Sequence, residues 1–203
     1  MKILIYGDSN TWGDNFDTNK RIPTSKQWPV ILKKKLGRKY QILQEGLPGR
    51  LAGSEEVEKK YKNGMDTFMS TFKTCAPVDV VIISLGTNDL QLKYDKSKDK
   101  IIDDLKWYTE QIKLEFEDDP VKYFNKKMPK IYYIMPINFD YNEYLFDENS
   151  EKKRKEIIKY FKNNKNYNTI IPENTTLSDG IHLDYNGHNY IANLVYERIT
   201  KDE

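Results

Sequence analysis

One cysteine, Cys75, stands in 203 residues, so no internal disulfide framework and no multi-thiolate zinc site can be built. The two histidines, His182 and His188, leave most metal centres short of ligands. An excess of one charge is also missing: 33 Lys and Arg face 31 Asp and Glu, for a formal net charge of +2. That balance lacks the basic stripe by which a dedicated nucleic-acid binder holds phosphates. No apolar run approaches the ~20 residues of a membrane span. The opening Met1-Lys2-Ile3-Leu4-Ile5-Tyr6 breaks at Gly7-Asp8-Ser9, short of the roughly 7–15 apolar residues of a secretory core. The expectation is a cytoplasmic protein with neither nucleic acid nor membrane as partner.

What the chain does have is core material: 38% of it is hydrophobic, with 15 Tyr and 8 Phe. A chain of this length forms one domain, residues 1–203, that buries roughly 70% of its unfolded surface. Short β-branched runs at 2–6, 40–44, 78–85, 130–135 and 169–171 read as strands. The third, Val78-Asp79-Val80-Val81-Ile82-Ile83-Ser84-Leu85, is nearly continuous in apolar residues, as a strand covered on both faces must be. Helical patterns separate them. Ile101, Leu105, Tyr108, Ile112 and Phe116 recur every three or four residues along one face. Ile157, Ile158 and Phe161 repeat the pattern, and Ile191, Leu194, Val195 and Ile199 mark a closing helix that Asp184 can cap. Strands alternating with helices imply a parallel sheet with helices on both faces. The polar stretch 14–26 reads as a loop over one end of the sheet, the basic stretch 152–165 as a solvated helix face.

In such a domain ligands bind beyond the carboxyl ends of the strands, and four segments fall there. Gly7-Asp8-Ser9-Asn10-Thr11-Trp12-Gly13 follows the first strand and exposes a serine whose hydroxyl can act as a nucleophile and whose N–H can face an oxyanion. The segment is equally good turn and cap material. A phosphate-binding loop would need further glycines and a lysine. Glu45-Gly46-Leu47-Pro48-Gly49-Arg50 follows the second strand; Gly46 lets backbone come close to a carbonyl, or simply makes a turn. Gly86-Thr87-Asn88-Asp89 follows the third. Asn88 offers an uncharged N–H donor, or a helix cap. Asp179-Gly180-Ile181-His182 follows the last, its acid and imidazole three residues apart, a spacing that can fix the ring tautomer. Asp179, His182 and Asp184 could alternatively serve a metal, although no further ligand cluster joins them. His188, inside the closing helix, reads as an ordinary surface or core residue.

Together these segments hold a nucleophile, a base, a base-orienter and three oxyanion donors. Gly7-Asp8-Ser9, Gly46, Gly86-Thr87-Asn88-Asp89 and Asp179-Gly180-Ile181-His182 resemble, in order, the four blocks of the GDSL/SGNH hydrolases, and the likeness runs from residue 7 to 182. It implies a flavodoxin-like three-layer α/β/α sandwich with a five-stranded parallel sheet, and a serine esterase needing no cofactor or metal. By the same resemblance Ser9 is the nucleophile, His182 the general base and Asp179 its partner, with an oxyanion hole from Ser9, Gly46 and Asn88. The longer strings Gly-Asp-Ser-Asn-Thr-Trp-Gly and Glu-Gly-Leu-Pro-Gly-Arg resemble the branch of small-ester arylesterases and acyltransferases. Leu51 and Gln27 depart from that branch's threonine and arginine. Trp12 and Leu47 are candidates to line an acyl pocket. The expected substrate is a small-molecule ester carrying a short acyl group such as acetyl. Thioesters, lysophospholipid-type lipid esters and acetylated carbohydrates are the alternatives on the same site, and a non-catalytic binding module is the alternative of another class. Tyr141, Tyr144 and Phe146 read as exposed aromatics over the site or against a partner subunit, which leaves a homo-oligomer open.

Overall fold

A computed structural model describes the chain except for residues 16, 17, 19, 55–58, 143 and 203. Strand β1 (Lys2–Gly7) enters a single helical turn, α1 (Ser9–Trp12), and a short antiparallel pair, β2 (Asp14–Asn15) with β3 (Lys20–Arg21). Then come α2 (Trp28–Leu36), β4 (Gln41–Gly46), α3 (Gly64–Cys75), β5 (Val80–Ser84) and α4 (Lys98–Asp118). The chain closes with β6 (Lys130–Ile134), α5 (Glu148–Asn163), β7 (Asn168–Ile170) and α6 (Tyr185–Lys201). Five of the strands form one parallel sheet in the order β4-β1-β5-β6-β7.

Side chains alternate across this sheet with the two-residue period of a strand. Ile3, Ile5, Val80, Ile82, Tyr132 and Ile134 pack under α2 and α6, through Trp28, Leu32, Ile191, Val195 and Ile199. Leu4, Tyr6, Val81, Ile83, Ile131 and Tyr133 pack under α3, α4 and α5, through Phe68, Phe72, Leu105, Ile112, Ile157 and Phe161. The result is the three-layer sandwich expected from the sequence, with each strand starting or stopping within two residues of its expected limits. Asp184 caps α6 by accepting the Gly187 N–H at 2.7 Å.

Two expectations need correction. Phe146 is not an exposed aromatic. It is 1% exposed and stacks on Phe139 with ring centroids 4.1 Å apart, whereas Tyr141 and Tyr144 do face solvent. The stretch 14–26 is not purely loop, because β2 and β3 pair within it. Among the described residues, no helix is long and apolar enough to cross a membrane.

The sheet reverses its winding at β1 and β5. The strand order places β4 on one side of β1 and all later strands on the other, which opens a crevice at the carboxyl edge. In register, Gly7 lies opposite both Gly46 and Ser84, so three strands end level at that crevice.

Candidate active site

Ser9 is positioned by a helical turn held at both ends. Asp8 caps it, accepting the Asn10 N–H at 3.0 Å, and Gly13 stops it in a left-handed conformation (φ 88°) while donating its N–H to Ser9 O at 2.8 Å. The first N–H of a helix has no acceptor within that helix, and that of Ser9 finds none elsewhere among the described residues. It is thus available to an oxyanion. Burial pushes the Asp8 carboxyl up to about 6, against the Asn10 N–H and the charges of His182 and Arg50, which pull it down.

His182 lies across the crevice. His182 Nδ1 is 2.6 Å from Asp179 Oδ2, and Asp179 Oδ1 also accepts the backbone N–H groups of Ile181 (3.0 Å) and His182 (2.7 Å). Burial acts to raise the Asp179 carboxyl, but these hydrogen bonds outweigh it and hold the group below its ordinary value. An ionised carboxylate only accepts, so Nδ1 carries the proton and Nε2 presents its lone pair. Asn10, next to Ser9, joins the two segments: its Nδ2 donates to Ile181 O at 3.3 Å and its Oδ1 accepts the Leu183 N–H at 2.9 Å. No hydrogen bond joins Ser9 Oγ to the ring in this structure. Such contacts are commonly long in unliganded enzymes and tighten around substrate.

Asn88 stands in the helical turn Asn88–Leu90 after β5. Its Oδ1 accepts from Gln91 Nε2 at 2.9 Å and its Nδ2 donates to Arg50 O at 3.1 Å. One Nδ2 hydrogen is thus engaged, the amide cannot flip, and the second hydrogen is left for a ligand. Asp89 ties the same two loops together by accepting the Ala52 N–H at 2.8 Å. Behind it Lys96, itself buried, pairs with Asp89 at 2.7 Å and Asp104 at 2.8 Å.

The turn after β4 gives its two glycines different tasks. A Cβ on Gly46 would stand 2.4 Å from the Trp12 backbone nitrogen, so Gly46 is required for α1 to sit on β4. Leu47-Pro48-Gly49-Arg50 is a type II turn: Arg50 N–H bonds Leu47 O at 3.1 Å, Pro48 occupies the second position and Gly49 the third, with φ +75°. Gly49 N–H has no acceptor among the described residues and directly precedes the Arg50 carbonyl that holds Asn88. Arg50 itself is buried, donates from Nη1 to Gly7 O at 2.9 Å and Glu45 O at 2.5 Å, and lies 4.0 Å over the Tyr6 ring.

Asn10, Gly49 and Arg50 are the residues that sequence reasoning passed over. The Pro-Gly pair was a readable signal for the turn; nothing local announces the partners of Asn10 or Arg50. The half-buried Trp12 ends α1 under the Arg21 guanidinium, 5.2 Å from the ring centroid. Leu47 is half-buried in the turn. The Asp184 carboxylate is committed to the Gly187 N–H and, at 2.6 Å, the Thr176 hydroxyl. His188 is a core residue: fully buried, it accepts the Trp28 N–H at 3.3 Å on Nδ1 and so caps α2 from another helix. Gln27 is buried and links Ile22 O (3.0 Å) to Gln44 (3.0 Å).

The family model described as GDSL-like Lipase/Acylhydrolase matches residues 3–195. The chain belongs to this family, a class of carboxylic ester hydrolases. No curated relative matches it. Among solved structures it is similar to the aryl esterase of M. smegmatis, at 22% identity over 98% of each chain with a TM-score of 0.83. It is also similar to a carbohydrate acetylesterase from Sinorhizobium meliloti, at 21% identity over 100% of this chain and 99% of that one, again at 0.83. A member of the lipolytic G-D-S-L family from Veillonella parvula follows at 16% identity over 99% of each chain, with a TM-score of 0.67. At these identities the likenesses establish the fold.

Proposed function

We propose that the protein hydrolyses short-chain carboxylic esters through Ser9, His182 and Asp179. Ser9 Oγ attacks the ester carbonyl as His182 Nε2 takes its proton. The oxyanion that forms rests on the Ser9 N–H, the free Asn88 Nδ2 hydrogen and a backbone N–H of the turn after β4. For that third donor we choose Gly49 over Gly46, because its unpaired N–H lies in the same turn as the Arg50 carbonyl that orients Asn88. The tetrahedral intermediate collapses, the alcohol leaves with the proton from His182, and water hydrolyses the acyl-enzyme by the same steps.

The observation that carries this reading is the 2.6 Å Asp179–His182 pair, joined through Asn10 to the turn that bears Ser9. Within the ester class, acetylated sugars are the second reading. The likeness to a carbohydrate acetylesterase favours them, as do the exposed rings of Tyr61, Tyr141 and Tyr185, which stand in the segments that follow β4 and β6 and at the start of α6.

The test is covalent labelling by a fluorophosphonate together with turnover of p-nitrophenyl esters of increasing chain length and of acetylated sugars. Wild type is expected to label and to favour the shortest acyl groups, and Ser9→Ala to do neither. Wild-type turnover by Ser9→Ala would overturn the assignment.

A further inference from the structure

The segment between β7 and α6 carries the base, yet it has little regular structure to hold it. Side chains and single backbone bonds pin it instead. At its root, Asn138 pairs with Thr175, its Nδ2 donating to Thr175 O at 3.0 Å and its Oδ1 accepting the Thr175 N–H at 2.8 Å. In the middle, Asp140 N–H reaches Gly180 O at 2.7 Å, and Ser178 N–H reaches His182 O at 2.8 Å. At the base itself, Asn10 bonds the residues on either side of His182, with its two arms at 3.3 and 2.9 Å. Asn10 is 7% exposed and follows the nucleophile directly in the chain. A side-chain amide has one accepting and one donating end, and here each end meets the backbone group that suits it. Through Asn10 the turn that bears Ser9 is therefore tied to the backbone on both sides of His182.

We infer that Asn10 is a positioning residue, whose amide clamps Ile181 and Leu183 so that the His182 ring is held at a fixed distance and angle to Ser9. The inference rests on the esterase reading above. Misplacing a catalytic group by about 1 Å costs about 10²-fold in rate, so loosening the clamp acts on the chemical step and leaves ground-state binding largely alone.

Two substitutions test this. Asn10→Ala removes both arms and makes room for water to satisfy the freed backbone groups. In Asn10→Asp the new carboxyl keeps both arms only while protonated, when it can donate to Ile181 O and accept from Leu183 N–H. Once ionised it loses the donor. The charged groups around the position are Asp8 on its own turn, Asp179 and His182 across the crevice, Arg50 from the turn after β4 and Asp89 from the turn after β5. For Asn10→Ala the expected result is a kcat about 10–100-fold lower with KM within about twofold, and slower fluorophosphonate labelling in proportion. For Asn10→Asp, activity relative to wild type is expected to fall as pH rises through the titration of the new carboxyl. A residue with a purely structural role would change the melting temperature and leave that ratio flat.

The ring is also read directly by NMR, because the chain has only two histidines. Asn10→Ala is expected to shift or split the His182 imidazole signals and leave those of His188 in place. Unchanged His182 signals, or a kcat within twofold of wild type in folded Asn10→Ala, would overturn the clamp. A wild-type protein that neither turns over esters nor labels at Ser9 would instead overturn the esterase reading, and the NMR result would still decide the clamp.

Discussion

Asp179 takes three hydrogen bonds on one carboxylate, the shortest from the ring of His182 at 2.6 Å and the others from the N–H groups of Ile181 and His182 itself. A carboxylate so bound stays ionised, and its charge fixes the Nδ1–H tautomer that frees Nε2 to accept a proton. Asp179→Asn preserves the shape but can turn its amide hydrogen toward the ring, which favours the opposite tautomer. The expected outcome is a fall in kcat on the order of 10⁴ with little change in KM, the size this substitution has in a Ser-His-Asp protease. Steady-state kinetics on a p-nitrophenyl ester checks it. A loss below tenfold would mean that the carboxylate does not orient the base.

Asn88 is held rigid by Gln91 and by the Arg50 carbonyl before any substrate arrives. A donor aimed in advance at the developing oxyanion pays no reorganisation during the reaction, and removing one such donor costs about 10²–10³-fold in kcat. Asn88→Ala is expected to show that loss with KM nearly unchanged. A rise in KM at constant kcat would place Asn88 in substrate binding instead.

Two buried groups pull the pH dependence of stability in opposite directions. Burial, opposed by the Asn10 N–H and by His182 and Arg50, leaves the Asp8 carboxyl at about 6. An unfolded aspartate titrates near 3.9, so between those values the folded chain keeps a proton that the unfolded chain has released, and stability falls as pH rises. Burial lowers His188 to about 4, with Asp184 opposing. An unfolded histidine titrates near 6.5, so over that window the unfolded chain holds the extra proton and stability rises with pH.

The two effects oppose each other in the wild type, and single substitutions unmask each. Asp8→Asn keeps the helix cap, since asparagine caps as well. Its stability relative to wild type is expected to climb between pH 4 and 6.5 by on the order of 2 kcal/mol. His188→Asn keeps an acceptor for the Trp28 N–H and is expected to trend the other way by a similar amount. Urea midpoints across that range are the measurement; curves parallel to wild type for both variants would contradict the burial argument.

The layers of the fold were legible because burial leaves a period in the sequence. Ile3 and Ile5 go to one face and Leu4 and Tyr6 to the other, and β5 is apolar throughout because both of its faces are covered. The site blocks were legible for a different reason. Each is a contiguous string at a strand end, and strands that run parallel deliver those ends to one edge. What stayed hidden depends on partners far away in the chain. Asn10 meets residues 181 and 183 only after four crossovers have closed the sheet, and Arg50 is held under β1 by the Gly7 carbonyl and the Tyr6 ring. Phe146 looked exposed because its short segment has no helical or strand period, yet Phe139 covers it. The distinct tasks of Gly46 and Gly49 follow from what each backbone touches, which the string Gly-Leu-Pro-Gly does not record.

Those tasks separate on substitution by alanine. At Gly46 the added Cβ would stand 2.4 Å from Trp12 N, 2.7 Å from Trp12 Cα and 2.8 Å from Thr11 C, all backbone atoms of α1. No side-chain rotation relieves that clash, so the turn carrying Ser9 must move. Overpacking of this kind costs about 1–3 kcal/mol, and because the displaced turn bears the proposed nucleophile, kcat is expected to fall as well. At Gly49 the nearest atom to an added Cβ is Lys62 Nζ at 2.8 Å, the end of a flexible side chain that can swing away. The remaining cost there is the left-handed backbone at φ +75°, about 1–2 kcal/mol, while the N–H we assign to the oxyanion keeps its place. Gly49→Ala is therefore expected to lose some stability with kcat nearly intact, and Gly46→Ala to lose both. Urea midpoints and kcat measured together on the two variants decide it. A Gly46→Ala enzyme that is fully active and as stable as wild type would mean that α1 does not rest on β4 as described.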